Sequence, residues 1–187
     1  YPPSSKYKVP DLAINERRIL SVDIALMASK KKKNNDASSI MINSCIPTGN
    51  NNYISNIVYA ENHEGLTTDE LGLIVMRLYY SMKCTDIAID TNGVGLGVYD
   101  FIIKDQLDPD TGETFNALSC CNNKDMEERC KVKNAPKVVW SIKANQSFNN
   151  EMCTMLRAGF KNGKINLLVS EFEAEEILKD KIKGFSR

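Results

Sequence analysis

Residues 19–26, with the sequence ILSVDIAL, are the stretch that decides the fold. Their apolar run predicts a central β-strand, yet Asp23 interrupts it. A second aspartate, Asp90, ends the apolar stretch IAID at 87–90 and precedes the glycine-rich sequence TNGVGLG at 91–97. A carboxylate in or beside a buried strand is costly unless a cation, donated hydrogen bonds or a metal ion compensates its charge. Two such aspartates on strands that can lie side by side suggest a shared divalent-metal site.

The bulk composition is that of a globular domain. The chain has 187 residues, and its hydrophobic share of 42% is enough to build a core. No apolar stretch approaches the roughly 20 residues of a membrane span, and the N-terminal sequence YPPSSK lacks a signal-peptide pattern. The formal net charge is zero, but residues 1–35 hold eight Lys and Arg against three Asp and Glu. Such a local basic stripe can meet phosphates.

Cysteine spacing argues against a structural zinc site. None of the six cysteines forms a CxxC pair, and the single histidine, His63, lies far from most of them. Reduced thiols are therefore expected. Cys120, Cys121 and Cys130 share one polar segment and are the only trio to examine for metal binding.

Hydrophobic periodicity predicts an α/β fold, in which a mixed central sheet carries helices on its faces. A meander of three strands is followed by alternating helices and strands. Residues 116–134 are predicted to form a polar surface excursion, and Trp140 is predicted to lie in the core. The predicted strands are 19–26, 39–46, 53–60, 85–90, 137–142 and 165–169, and the predicted helices begin at 67–70, 94, 149 and 171.

Each candidate metal ligand also has an ordinary structural interpretation. Asp23 can be a ligand, or a carboxylate satisfied by a lysine or by backbone amides. Asp36 opens the second strand and can reach back over Asp23, or it can be a simple turn residue. Asp90 ends a strand before a glycine-rich turn, which is where ligand sites lie in open α/β sheets, but it can also cap a turn or helix.

Other motifs point less sharply to a function. The glycine run lacks the third glycine of a dinucleotide-binding loop, since Val98 occupies that position, and no P-loop motif is present. Lys30, Lys31, Lys32 and Lys33 can form a solvated turn or contact a nucleic-acid backbone. His63 is expected to be a solvated loop residue. No run of exposed aromatic residues suggests base stacking.

Five short motifs occur along the chain: ILSVDIA at 19–25, NDASSI at 35–40, EGLT at 64–67, IAIDTNGVG at 87–95 and LRAGFKNGKI at 156–165. In their order and spacing, these motifs resemble the nuclease domain of phage terminase large subunits. The resemblance covers roughly residues 17–170. It implies a ribonuclease-H-like fold, with Asp23 on the first, central strand and Asp90 on the fourth.

The resemblance implies a metal-dependent endodeoxyribonuclease that cuts concatemeric double-stranded viral DNA during packaging, with little sequence specificity. Asp23 would bridge one or two Mg²⁺ or Mn²⁺ ions, Asp90 would be the second ligand, and Asp36 a weaker third. The implied partners are DNA, the ATPase domain of the same subunit, the small terminase subunit and the portal. The implied location is the host cytoplasm, at the procapsid.

One departure from the family pattern concerns the third acid, which that family carries near its C-terminus. This sequence shows no clear equivalent before Arg187, and Asp180 lies in a predicted charged helix. We therefore expect residues 1–16 to be a link from a preceding ATPase domain, and residues 17–187 to be a nuclease domain lacking its C-terminal segment. The alternatives are another ribonuclease-H-like nuclease or Holliday-junction resolvase, and a non-catalytic nucleotide- or protein-binding α/β module.

Overall fold

A mixed central sheet flanked by helices forms the protein, as the alternation of strands and helices predicts. A computed structural model describes residues 9–25 and 37–167. The elements are β1 Arg17–Asp23, β2 Ser38–Gly49, β3 Asn52–His63, α1 Thr68–Ser81, β4 Asp86–Asp90, α2 Gly95–Ile102, β5 Gln106–Leu107, β6 Thr114–Phe115, β7 Ser119–Cys120, α3 Lys124–Arg129, β8 Lys137–Ile142, α4 Gln146–Lys161 and β9 Ile165–Asn166.

Within the described residues, the main sheet has seven strands in the order β7-β8-β4-β1-β2-β3-β9. Strands β1, β2 and β3 form an antiparallel meander, while β4 and β8 add to the other side of β1 as parallel strands. Strand β1 is therefore central and has a hydrogen-bonded neighbour on each side. A separate two-stranded sheet, β5 with β6, forms a hairpin outside it.

The alternation of side chains along β1 divides the sheet into two faces. Arg18, Leu20 and Val22 are buried on one face, which packs against α1 and α2. Arg17, Ile19, Ser21 and Asp23 point to the other face, which we call the open face, and none of these four is buried. Any ligand of Asp23 must therefore approach from the open face.

Helix α1 begins where the sequence predicts it. Thr67 and Glu70 form a capping box, in which the Thr67 side chain accepts from the Glu70 N–H and the Glu70 carboxylate accepts from the Thr67 N–H. Its apolar residues then recur at helical spacing and pack on the sheet. The buried side chains of this core include Leu71, Val75, Met76, Leu78, Met82, Ile87, Ile89, Val98, Tyr99 and Ile102.

An ion pair buried inside the core fixes the start of β1. Arg18 is 1% exposed and Glu16 is 8% exposed, and two guanidinium nitrogens of Arg18 donate to Glu16 Oε1 at 3.0 and 2.9 Å. Ser44 Oγ on β2 donates to the same oxygen at 2.8 Å, and Arg18 Nη1 donates to the Met82 carbonyl at 2.7 Å. Burial raises the pKa of Glu16, but the hydrogen bonds from Ala13, Ser44 and Arg18 outweigh it and leave the pKa below its usual value.

The predicted surface excursion at 116–134 is wrong for its first part. Leu118 and Cys120 are buried, and β7 joins the edge of the main sheet beside β8. Met126 of the short helix α3 is buried as well, and its carbonyl accepts from the Tyr99 hydroxyl at 2.6 Å. The polar residues around these positions made the segment look like a surface loop, and the burial of Leu118, Cys120 and Met126 results from contacts with distant parts of the chain.

Trp140 and His63 also differ from expectation. Trp140 lies on β8 but points to the open face and is 39% exposed. His63 is not a loop residue, since it ends β3 and is half-buried, with Nε2 at 2.7 Å from Glu61 Oε1. Among the described helices, none is both long and apolar enough to cross a membrane.

We expect Arg18→Met to lower the free energy of unfolding by about 3–5 kcal/mol, because it leaves the Glu16 carboxylate buried without its partner. Urea unfolding at neutral pH measures the change. Arg157→Met, at an exposed position of α4, is the matched control and should change stability by less than about 0.5 kcal/mol. The double variant Glu16→Met/Arg18→Met should be more stable than Arg18→Met, and the opposite order would contradict the role of the pair.

A second ion pair makes stability depend on pH. Arg77 on α1 donates to both oxygens of Asp108 at 2.6 Å, which holds the pKa of that carboxyl well below its usual value of 3.8. The pair therefore contributes its full stability above pH 3.8 and loses it as the pH falls further. Urea midpoints should show a deficit for Asp108→Asn that is largest at pH 7 and shrinks below pH 4. A deficit that is constant with pH would contradict this assignment.

Candidate metal centre

Asp23 and Asp90 lie beside each other at the C-terminal ends of the central strands β1 and β4. Strands β1 and β4 are parallel, and Val22 is paired with Ile89, so the next residues along the two strands are the two aspartates. Neighbouring strands are about 4.8 Å apart, which brings the two carboxylates to a single place. Both residues line one cleft of about 540 Å³ on the open face.

Tight backbone packing holds the end of β4 in place. The Thr91 N–H donates to the Ile142 carbonyl at 3.0 Å, and its hydroxyl lies 2.7 Å from the Ser141 hydroxyl, so the strand end is tied to β8. A Cβ at Gly95 would lie 1.8 Å from the Asp90 carbonyl oxygen, so the first turn of α2 requires glycine there. Within the glycine run, Gly95 thus allows close packing against the backbone of Asp90.

Among the described residues, the two carboxylates have almost no compensating partner. Asp90 Oδ1 accepts from the Asn92 N–H at 2.9 Å, an Asx-turn contact. Neither Asp23 nor Asp90 forms an ion pair with any residue in 9–25 or 37–167. Asp23 is exposed and Asp90 is half-buried, so the expectation that Asp23 lies inside an apolar strand interior is wrong. What needs compensation is the repulsion between two adjacent negative charges.

Two further polar groups continue this edge of the sheet, and the sequence alone did not identify them. Ser39 is paired with Asp23 across β1 and β2, and Asn62 is paired with Ser39 across β2 and β3. The Ser39 hydroxyl donates to Asn62 Oδ1 at 2.6 Å, and Ser39 lines the same cleft. The strand register is what identifies Ser39 and Asn62, because residues that are paired across neighbouring strands point to the same face of the sheet. Oxygen atoms therefore run along the edge from Asp90 through Asp23 to Ser39 and Asn62.

These oxygen donors fit a hard divalent cation. Mg²⁺ is commonly held by one or two carboxylates together with substrate phosphates, and keeps several waters. Within the described ranges, no group of three or more His, Cys, Asp or Glu is placed to hold a metal ion. Asp36, Lys30, Lys31, Lys32, Lys33 and Asp180 lie outside the residues that the structure describes.

The cysteine trio is not gathered into a site. Cys120 is buried and its thiol lies 3.2 Å from Asn122 Oδ1, whereas the thiols of Cys121 and Cys130 face the carbonyls of Val139 and Ile103. All six cysteines fall within the described ranges and are free. Each thiol of the trio thus has a different neighbour.

Asp86 shows how a structural carboxylate on the same strand differs from Asp90. It is buried and accepts hydrogen bonds from Arg17 Nε at 3.0 Å, Thr85 Oγ1 at 2.7 Å and Trp140 Nε1 at 2.9 Å. Burial raises its pKa, but these donors outweigh the effect and leave the pKa below its usual value. Asp86 is thus fully satisfied, whereas Asp90, four residues later, has one local hydrogen bond among the described residues.

No protein-family model matches the sequence, and comparison with curated proteins finds no match either.

Replacing the paired aspartates should not destabilise the fold. Asp23→Asn and Asp90→Asn each remove a repelling charge and keep the side-chain shape, so we expect unfolding free energies in metal-free buffer that are equal to or slightly above that of the native chain. The contrast is Asp86→Asn, which should lower stability by about 1–2 kcal/mol, because it weakens charge-assisted hydrogen bonds. Thermal unfolding in EDTA measures all three, and a loss at Asp23 or Asp90 comparable to that at Asp86 would identify a structural role instead.

Proposed function

We propose that this protein is a divalent-metal-dependent endonuclease that hydrolyses the phosphodiester backbone of double-stranded DNA. The observation that carries the proposal is the pair Asp23 and Asp90, brought together at the ends of neighbouring parallel strands and facing one cleft. Adjacent carboxylates without a cationic partner among the described residues are suited to bind a divalent cation.

The topology supports a ribonuclease-H-like assignment. The antiparallel strands β1, β2 and β3, followed by β4 and β8 in parallel, place one aspartate on the first, central strand and the other on the fourth. This is the arrangement that the resemblance to terminase nuclease domains implies. We infer that the chain is the nuclease domain of a viral DNA-packaging motor. Its partners would be an ATPase domain of the same subunit, a small subunit and a portal, and it would act at the procapsid in the host cytoplasm.

In this proposal Asp23 and Asp90 would hold one or two Mg²⁺ or Mn²⁺ ions. Asp23 is on β1, which lies between β4 and β2. A bound ion would supply an activated water and would neutralise charge on the scissile phosphate. Ser39 and Asn62 extend the polar edge and can hydrogen-bond to phosphate oxygens or to water. The Asx-turn at Asp90 and the Gly95 packing keep the carboxylate in place before an ion arrives.

Plasmid cleavage with Mn²⁺ tests the proposal. The native chain should nick and linearise DNA, and EDTA should abolish this. Asp23→Asn and Asp90→Asn should each reduce the rate by more than about 100-fold, since loss of a residue that merely supports a ligand already costs 10–100-fold. Asp125→Asn, at an exposed position of α3, is the matched control and should cut like the native chain. Equal cleavage by the native chain and both site variants would contradict the proposal.

A further inference from the structure

A second cleft lies on the open face, next to the aspartates. Its volume is about 400 Å³, and its walls include Trp140 of β8 and Phe148 in the first turn of α4. Arg17 and Lys143 also line it. Two aromatic side chains and two cations thus line one cavity, with Arg17 coming from β1 and the other three from the segment 140–148, although the sequence contains no aromatic run.

Trp140 is held rigidly as one wall of this cleft. Its indole N–H donates to Asp86 Oδ1 at 2.9 Å, and the guanidinium carbon of Arg17 lies 5.7 Å from the ring centroid. Arg17 is in turn fixed by its hydrogen bonds to Asp86. With the ring orientation already set, binding a ligand against it costs little conformational entropy. Yet 39% of the Trp140 surface remains exposed, so part of the ring is free to be covered.

The second cleft adjoins the cleft of the aspartates. Ala88 and Ile142 line both cavities. Ala88 is paired with Trp140 on the neighbouring strand, and Asp90 lies two residues further along β4. From strand spacing and rise, the Cα atoms of Asp90 and Trp140 are about 8 Å apart. That is about two steps of a stacked DNA strand, at 3.4 Å per step.

Aromatic walls and cations together select a planar group attached to an anion. Each of the four nucleobases can stack on aromatic side chains, and nearby cations bind the phosphates of the strand. In a paired duplex both faces of each internal base are already stacked, so only an unpaired base can fill such a cleft. Lys143 forms no ion pair with a described residue and is available to a phosphate.

We propose that the Trp140–Phe148 cleft binds an unpaired nucleobase of the DNA strand whose backbone lies at Asp23 and Asp90. The identity of that strand rests on the proposed nuclease function. The preferred substrate is then DNA with a frayed, overhanging or locally opened end, since such DNA presents a base within reach of the carboxylates.

Trp140 is the single tryptophan of the chain, so its fluorescence reports on the cleft directly. The full 187-residue chain is titrated in EDTA, where no cleavage occurs, with a twelve-nucleotide oligothymidine strand and with a blunt duplex of about the same length. Oligothymidine should quench the emission and bind about tenfold more tightly than the duplex, as expected for stacking of at least one base. An absence of quenching, or equal affinity for the two probes, would overturn the proposal.

Matched variants locate the binding. Phe148→Ala removes the second aromatic side chain of the lining and should weaken oligothymidine binding about tenfold, whereas Phe160→Ala, at an exposed position of the same helix, should leave it unchanged. Lys143→Gln should weaken binding and reduce its salt dependence, which keeps the test valid if Phe148→Ala disturbs α4. Equal effects of Phe148→Ala and Phe160→Ala, together with no effect of Lys143→Gln, would overturn the assignment.

The two proposals fail in different ways. An absence of quenching together with intact Mn²⁺-dependent cleavage would contradict the base-binding proposal and support the nuclease proposal. Quenching that depends on Phe148, in a chain that cuts no DNA, would contradict the nuclease proposal and support a binding site for single-stranded nucleic acid.

Discussion

The pairing of β1 on both of its edges is the constraint on which the rest of the structure depends. Its antiparallel register with β2 and its parallel register with β4 are both set by burying Leu20 and Val22 under α1 and α2. A slip of one residue would expose these side chains and turn Asp23 into the core. The buried Arg18–Glu16 pair, bonded to β2 and to the end of α1, opposes such a slip at the other end of the strand. Hydrophobic burial thus places a carboxylate on the open face.

Strand β4 carries two aspartates in very different electrostatic surroundings within five residues. Asp86 is surrounded by donors from β1, from β8 and from Thr85 beside it, so its negative charge stabilises the sheet. Asp90 faces the same side at the other end of the strand, next to a second carboxylate. Because the two ends differ in this way, a change at Asp90 should loosen the core less than a change at Asp86. The same strand also joins the two clefts of the open face through Ala88.

Local patterns predicted most elements because their causes are local. The capping box at Thr67 and Glu70, the helical spacing of α1 and the apolar run of β8 depend on neighbours within a few residues. The failures had non-local causes. Trp140 lies on a strand but faces the open side of the sheet, where its indole N–H donates to Asp86. That partner lies 54 positions earlier in the chain, so the local sequence did not reveal it. The anchor around Leu118 packs against α2, and its burial cannot be read from the polar residues around it.

The amino-acid sequence by itself determined that two aspartates accompany apolar strand segments and that a glycine-rich turn follows the second, since these are properties of short segments. Only the tertiary structure decided that the two aspartates are neighbours, that Ser39 and Asn62 continue the row of oxygen atoms, and that Trp140 and Phe148 line one cleft. The physical reason is that strand register and helix docking are set by burial of apolar surface across the whole sheet. A pattern in one segment fixes which way a side chain points, but not which side chain it meets.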